Sequence, residues 1–402
     1  TNTCSHIGRR NRPRYTHEIG MDAGDLRSNV RRVLLAALAA LALSLLAATA
    51  LTASASAASA GPVGVKGNRL VGRHGHTVRL LGVDRSGTEY ACVVGGGYGF
   101  TDSPDYTQAD SKKLIKRIRS WHVNAVRVPL NEACWLDING VHSGLGGRPY
   151  RRKVATTVHR LEHAGIHPIL DLHVVDPRSY PARKSATGLR PAPDASHAPD
   201  FWRSVANRYG HDRAVLYDLY NEPNDIGWRC LRDGCKITRD AYSSDVPHYR
   251  SAGTRQLVHV IRRAGARNVI MVPGLDYTSN LSKWRRFRPH DPLHRLAASL
   301  HTYEAPLGGC DPNCRRHVLA PLARHVPIIT GEFGDTDCNH DYSDAYMRWA
   351  DRHGVSYLGW TWDATAPGSW TCDGGPSLIE NYRGKPTGYG VGLRNHLRKL
   401  RG

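Results

Sequence analysis

Two glutamates stand at matching places in this chain. Glu222 closes the run "AVLYDLYNEP" between Asn221 and Pro223, and Glu332 follows "VPIITG" and precedes "FGD". Each ends a short apolar run, so each is expected where a buried strand meets solvent. Two carboxyl groups placed in this way can work on one bond, one protonating a leaving oxygen while the other attacks or activates water. Other run ends bring Arg127, His173, His301, Tyr303, Trp360 and Trp362, groups that titrate, hydrogen-bond or stack. Singly, each has a structural reading: Arg127 as an ion-pair partner, the histidines as satisfied core residues, the tryptophans as packing. Their arrival at successive run ends is what favours chemistry.

Those ends need elements to hold them. Near-continuous apolar runs cover 78–84, 123–129, 167–173, 214–220, 268–274, 297–303, 326–331 and 355–363. They lack the alternation of half-exposed strands and read as strands covered on both faces. Helix-like stretches lie between them, with Leu114, Ile118 and Trp121, or Val154, Val158 and Leu161, at helical spacing. Eight strands alternating with eight helices predict a single α/β domain, a (β/α)8 TIM barrel over 61–402, in preference to an open doubly wound sheet. In such barrels the C-terminal strand ends carry the chemistry. The preceding "GPVGVKGNRLVGRHGHTVRLLGV" reads as a hairpin turning at "RHGH".

Arg31 and Arg32, an Ala/Leu run and the small-residue tract Ala58-Ser59-Ala60 have the order of a secretory signal cleaved after Ala60. A retained membrane anchor is the alternative for this run. Residues before Met21 read as an over-extended start, so 1–60 is set apart from the domain. Of nine cysteines, Cys4 precedes the cleavage point. The remaining even set suits an exported chain. Short separations favour Cys230 with Cys235 and Cys310 with Cys314, leaving Cys92 with Cys134 and Cys338 with Cys372 as the simplest remainder. No C-x-x-C or H-E-x-x-H spacing supports a zinc site. The net charge of +20 invites a nucleic-acid reading, but the basic residues are scattered and no dense block interleaves with aromatics. A solvated basic face able to cling to anionic wall polymers is the simpler account.

The segments "LLGVDRSGTEY", "NAVRVPLNE", "ILDLH", "LYNEP", "SLHTYE", "ITGEFG" and "LGWTWD", in this order over 78–397, resemble glycoside hydrolase family five, the cellulase-like group of retaining barrel glycosidases. The resemblance implies Glu222 as acid/base and Glu332 as nucleophile. Asn221, Arg127, His173, His301, Tyr303 and a strand-eight tryptophan follow as substrate-binding or supporting positions, with Trp362 preferred over Trp360. The two carboxyl groups are then expected about 5 to 5.5 Å apart, with the charge of Glu332 raising the pKa of Glu222. Trp135 and Trp228 are further candidates to stack on sugars. Relatives commonly carry Trp after "DLH" and Asn in "GVN", where this chain has Val174 and Asp84; these departures, with the loop after Glu304, bear on substrate choice.

The expectation is a secreted, monomeric endo-β-1,4-glucanase acting on a β-linked polysaccharide without cofactor or metal, with no nucleic-acid partner and no stable membrane association after cleavage. A mannanase or another β-glycosidase of the same group is the nearest alternative. A catalytically inactive glycan-binding barrel is the alternative from another class.

Overall fold

The eight apolar runs become eight strands that close on themselves. The structure, a computed structural model, describes residues 59–93, 111–177, 188–239, 248–305, 308–337, 339–364 and 376–400. The expected leader, apart from Ser59 and Ala60, lies outside the described residues, as do Cys338 and Cys372. The strands are β1 (Leu81–Asp84), β2 (Ala125–Asn131), β3 (His167–Val174), β4 (Leu216–Asp218), β5 (Ile270–Val272), β6 (Leu296–Tyr303), β7 (Ile328–Gly334) and β8 (Ser356–Gly359). Each pairs in parallel with the next, and β8 returns to β1, which closes the barrel.

The ladder at β4 is shorter than its apolar run, although Leu219 N still donates to the Met271 carbonyl and Asn221 N to that of Leu172, both at 3.1 Å. Trp202 Nε1 donates to the carbonyl of Leu219 at 3.1 Å, and the Tyr220 hydroxyl donates to that of Arg190 at 2.6 Å. Conversely, β7 extends past Gly331 and takes Glu332 into the sheet.

Among the described residues the six longer helices are α1 (Lys112–Arg119), α2 (Arg148–His163), α3 (Ala198–Tyr209), α4 (Thr254–Arg263), α5 (Asp341–His353) and α6 (Gly388–Lys399). They turn apolar stripes to the sheet, as Leu114, Ile115 and Ile118 do on α1. Full burial of such a side chain is worth about 1.5–3 kcal/mol. The weak helical stretch after β5 is a single turn, Trp284–Phe287. Only the second half of the stretch before β5 is helical; Tyr249–Arg250 pairs instead with Lys236–Ile237 in a two-stranded ribbon.

Alternation inside the barrel stacks unlike layers. Ala125, Ile169, Leu216, Ala297, Ile329 and Leu358 form an apolar floor. Two residues further along, Arg127, Asp171, Asp218 and Ser299 point into the same interior and form a polar layer, fully buried. Below the floor the expected hairpin is a three-stranded meander, Gly64–Lys66, Arg69–Val71 and Thr77–Val78. Its Val63 and Leu70 join the apolar cluster. At Gly82 β1 lies close against β2, since a Cβ there would lie 1.9 Å from the Ala125 carbonyl oxygen.

Among the described residues three disulfides, Cys92–Cys134, Cys230–Cys235 and Cys310–Cys314, are formed as expected. Among the described residues no helix is long and apolar enough to cross a membrane.

Candidate active site

The strand ends of β3, β4, β6, β7 and β8 open into a cleft of about 570 Å³ lined by His173, Asn221, Glu222, His301, Tyr303, Glu332 and Trp360. Arg127 underlies it. Its five N–H groups face five acceptors: Asp218 Oδ2 at 3.0 Å, Asp84 Oδ1 at 3.1 Å, Glu332 Oε1 at 2.7 Å, Asn221 Oδ1 at 2.8 Å and Asp171 Oδ2 at 3.0 Å. One guanidinium cannot neutralise four buried carboxylates. Burial accordingly pushes Asp171 up to about 7 and Asp218 up to about 8, against the pull of Arg127. Asp84, where Asn is common in the family the sequence resembles, adds a further buried carboxyl whose pKa burial also raises.

Glu332 reaches the cleft through a local irregularity. Leu300 pairs with Thr330, but His301 pairs with Glu332, so Gly331 is skipped. Ile329 belongs to the interior floor and Thr330 bonds outward to Tyr346 of α5. Unbroken alternation would therefore aim Glu332 outward, and the bulge turns it back in. Both of its oxygens accept hydrogen bonds, Oε1 from Arg127 and Oε2 from the Tyr303 hydroxyl at 2.5 Å. Burial and the adjacent Glu332 raise the Tyr303 pKa well above its ordinary value, so the phenol keeps the proton it donates.

Glu222 stands across the cleft with its side chain 14% exposed. Its pKa is pushed up to about 7 by burial, while His173 and Arg127 oppose the rise and Asp171 adds to it. Surroundings that disfavour charge are thus the leading cause, as expected, while the charge of Glu332 is not among the principal ones. His301 Nδ1 lies 2.9 Å from Glu222 Oε1 and 3.6 Å from Glu332 Oε2. Oxygens of the two glutamates and a ring nitrogen of His301 all lie within 4.8 Å of one another. Burial lowers the His301 pKa to about 3, so a neutral imidazole contacts Glu222 and faces Glu332.

His173 is buried, and burial likewise lowers it to about 4. Its Nδ1 is 2.7 Å from Asp171 Oδ2 and its Nε2 is 3.4 Å from Asn221 Nδ2. With the proton on Nδ1, Nε2 is free to accept from the amide. Arg127 fixes the other end of that amide, so Asn221 presents one orientation to the cleft.

Trp360 stacks on His173 at 5.6 Å with an interplanar angle of 9° and lines the cleft. The preference for Trp362 is corrected: it is fully buried, edge-on to Trp121 at 4.7 Å. Past the end of β8 (Ser356–Gly359), the inward residue cannot be counted by alternation. Trp135 is also core, packed on Tyr150 and Phe201, and Trp228 stacks on Phe287, so neither lines the cleft. Val174 is buried.

The sequence reading missed Tyr90 and the loop after β5. Asp276, Tyr277 and Ser279 line the cleft, and Asp276, Tyr277 and Thr278 hold φ of 53°, 58° and 61°, a left-handed run unusual for non-glycine residues. Hydrogen bonds stabilise it: Tyr277 N donates to the Pro223 carbonyl at 3.0 Å, and Thr278 Oγ1 to that of Asn221 at 2.7 Å. The loop thus braces the Asn221–Pro223 backbone. No apolar run ends on Tyr277, so run ends alone could not find it.

Among the described residues, the ligand-type atoms of two other groups also lie close together, within 4.8 Å in each group, Glu132/Asp194/His197 and Glu304/Asp335/Asp337. In the Glu222/His301/Glu332 group the Glu332 oxygens are already engaged by Arg127 and Tyr303.

Comparison with known proteins gives this geometry a family. The model described as "Cellulase (glycosyl hydrolase family 5)" matches residues 83–366. The chain belongs to glycosyl hydrolase family 5. Its relatives in this family include a mannan endo-1,4-beta-mannosidase of Cellvibrio japonicus, 24% identical across 74% of this chain and 60% of the relative. Endoglucanase MaCel5A of a Microbulbifer species is 21% identical across 74% of this chain and 50% of the relative. The chain thus spans about half to three-fifths of the length of these curated relatives. In fold it is similar to the beta-glucanase SdGluc5_26A of Saccharophagus degradans, solved with cellotetraose, at a TM-score of 0.60 and 19% identity over 86% of this chain and 96% of that one. The catalytic domain of Thermobifida fusca endoglucanase Cel5A gives 0.55 and 17% over 84% and 97%.

Proposed function

We propose that this family 5 chain is a secreted, monomeric retaining β-glycosidase that cuts within β-1,4-linked glucan. The observation that carries the reading is the closeness of Glu222 and Glu332, whose nearest oxygens are within 4.8 Å. Retention uses carboxyl groups about 5–5.5 Å apart, whereas inversion needs about 6.5–9.5 Å to admit a water.

In the first step Glu332, positioned by Arg127 and Tyr303, attacks the anomeric carbon while Glu222 gives its proton to the departing glycosidic oxygen. His301, donating from Nδ1 to Oε1 of Glu222, leaves the other oxygen to carry that proton. Glu222, now a carboxylate, then takes a proton from water, and the hydroxide released as it forms displaces Glu332 from the glycosyl ester. A pKa near 7 suits a group that must act as acid and then base. Asn221 donates to the sugar 2-hydroxyl, a contact that strengthens in the oxocarbenium-like transition state. Trp360 supplies an aromatic face for a sugar ring.

Endoglucanases among the relatives, and a structural neighbour holding cellotetraose, favour glucan; the mannosidase relative makes mannan the second candidate. Export is favoured by three disulfides in the described barrel. The test is reducing-end release from soluble β-glucans, mannan and xylan by the wild type beside Glu332→Gln. Glucan cleavage lost in the variant supports the proposal. Turnover of mannan alone overturns the substrate, and binding without turnover by either protein overturns the enzymatic reading.

A further inference from the structure

The outer wall of the barrel carries a second cavity, about 410 Å³, between α1 and the last turns of α2. Lys112, Lys116 and Arg119 line it from α1, and His159, Arg160 and His163 line it from α2. The α1 positions follow an i, i+4, i+7 stripe, and buried Ile115 forms part of the floor. The two histidine rings pack 4.2 Å apart. This volume falls in the range of ligand sites, and none of its lining residues is shared with the cleft.

Basic residues dominate here. The two helices carry ten Lys and Arg, against Glu162 as their one acid, and Glu162 is hydrogen-bonded to Asp212. No acidic residue lines the cavity. Lys112, Lys116 and Arg119 have no ion-pair partner among the described residues. Lys112 and Lys113 occupy the first turn of α1, where no acid is present and the helix dipole favours one. Lys112 and Lys116 also repel at i, i+4. Both arrangements work against the helix, so a role for the stripe other than folding is the economical account.

We propose that this groove is an accessory site for a linear acidic polysaccharide whose carboxylates follow the Lys112–Lys116–Arg119 stripe. A groove of fixed cations concentrates a polyanion through its field, and lysine offers point charges that tolerate varied carboxylate geometry. No Phe, Tyr or Trp lines the cavity, whereas single-stranded nucleic acid is held by stacking on such rings. Occupancy would keep the protein on an acidic matrix while the cleft stays open to a neutral chain. Binding itself does not depend on hydrolysis in the cleft.

The test is affinity electrophoresis of the full chain in native gels containing polygalacturonate, polyphosphate or single-stranded DNA. It compares the wild type with Lys116→Glu/Arg119→Glu and with Lys283→Glu/Arg285→Glu, a pair of exposed positions carrying the same change in net charge. The expected result is retardation by polygalacturonate that weakens about tenfold in the groove variant only and disappears at about 0.5 M salt. Thermal melting and hydrolysis of soluble neutral glucan should be the same in all three proteins. Equal loss in the control pair, or no loss in the groove variant, overturns the site. Polyphosphate or DNA retarding the wild type at least as strongly as polygalacturonate overturns the ligand.

Discussion

His301 stands opposite Glu332 across the seam of β6 and β7, with Gly331 skipped between them. A Cβ on Gly331 would come 3.1 Å from His301 Nε2, tight enough to displace the ring that holds Glu222. Gly331→Ala should fold and lose about 10- to 100-fold in kcat, with KM little changed. Steady-state kinetics beside a thermal melt decides this; unchanged kcat would show that the imidazole position is slack.

The assignment of the two glutamates separates in small-anion rescue. Glu222→Ala should lose about 10²–10⁴-fold on polysaccharide and much less on an aryl glycoside whose leaving group needs no proton. Added azide should then accelerate turnover and give a glycosyl azide of retained configuration. Glu332→Ala should instead give the inverted azide. NMR of the products reads the outcome, and swapped configurations would reverse the roles.

Activity should fall as pH rises through about 7, because Glu222 is pushed up to that value and its proton is required in the first step. The check is the basic limb of kcat/KM against pH. A limb below about pH 6 or above about pH 9 would contradict burial of Glu222 as its origin.

Fold stability should show its own dependence. Asp171 and Asp218, raised from 3.8 to about 7 and about 8, bind protons in the folded state that the unfolded chain has released. Their contribution is complete below about pH 4 and is lost as pH rises to about 8. Urea midpoints across this window should decline, and Asp218→Asn should flatten the decline. A rising midpoint would mean that Arg127 holds both groups ionised.

Tyr277 and Trp362 should divide by phenotype. Tyr277, 36% exposed at the cleft, is placed to meet sugar, so Tyr277→Ala should raise KM severalfold and leave the melting temperature nearly unchanged. Trp362→Ala removes a fully buried ring and should cost about 3–5 kcal/mol of stability. Reversal of these two effects would return Trp362 to the cleft.

The fold was legible because alternating strands and helices leave a period in the sequence, and buried parallel strands leave unbroken apolar runs. The site was legible where a titratable residue ends such a run, as at Glu222 and His173. Trp362 was misplaced because side-chain direction beyond the ladder follows local backbone turns that no period records. Glu332 was found by its neighbours, yet the bulge that aims it inward is a matter of pairing with β6, invisible in one strand's own residues. The Asp276–Ser279 loop carries neither glycine nor an apolar run, and its left-handed path depends on contacts with Pro223 and Asn221.

The meander beneath the barrel sets a limit on trimming. Val63 and Leu70 cap the floor on which the Arg127 layer rests, so a trimmed chain that keeps this seal begins no later than Val63. A cut beyond that point would open the lower mouth of the barrel, and water entering there would meet the buried aspartates from behind. Fusion partners and purification handles therefore belong ahead of Pro62, where they leave this seal intact.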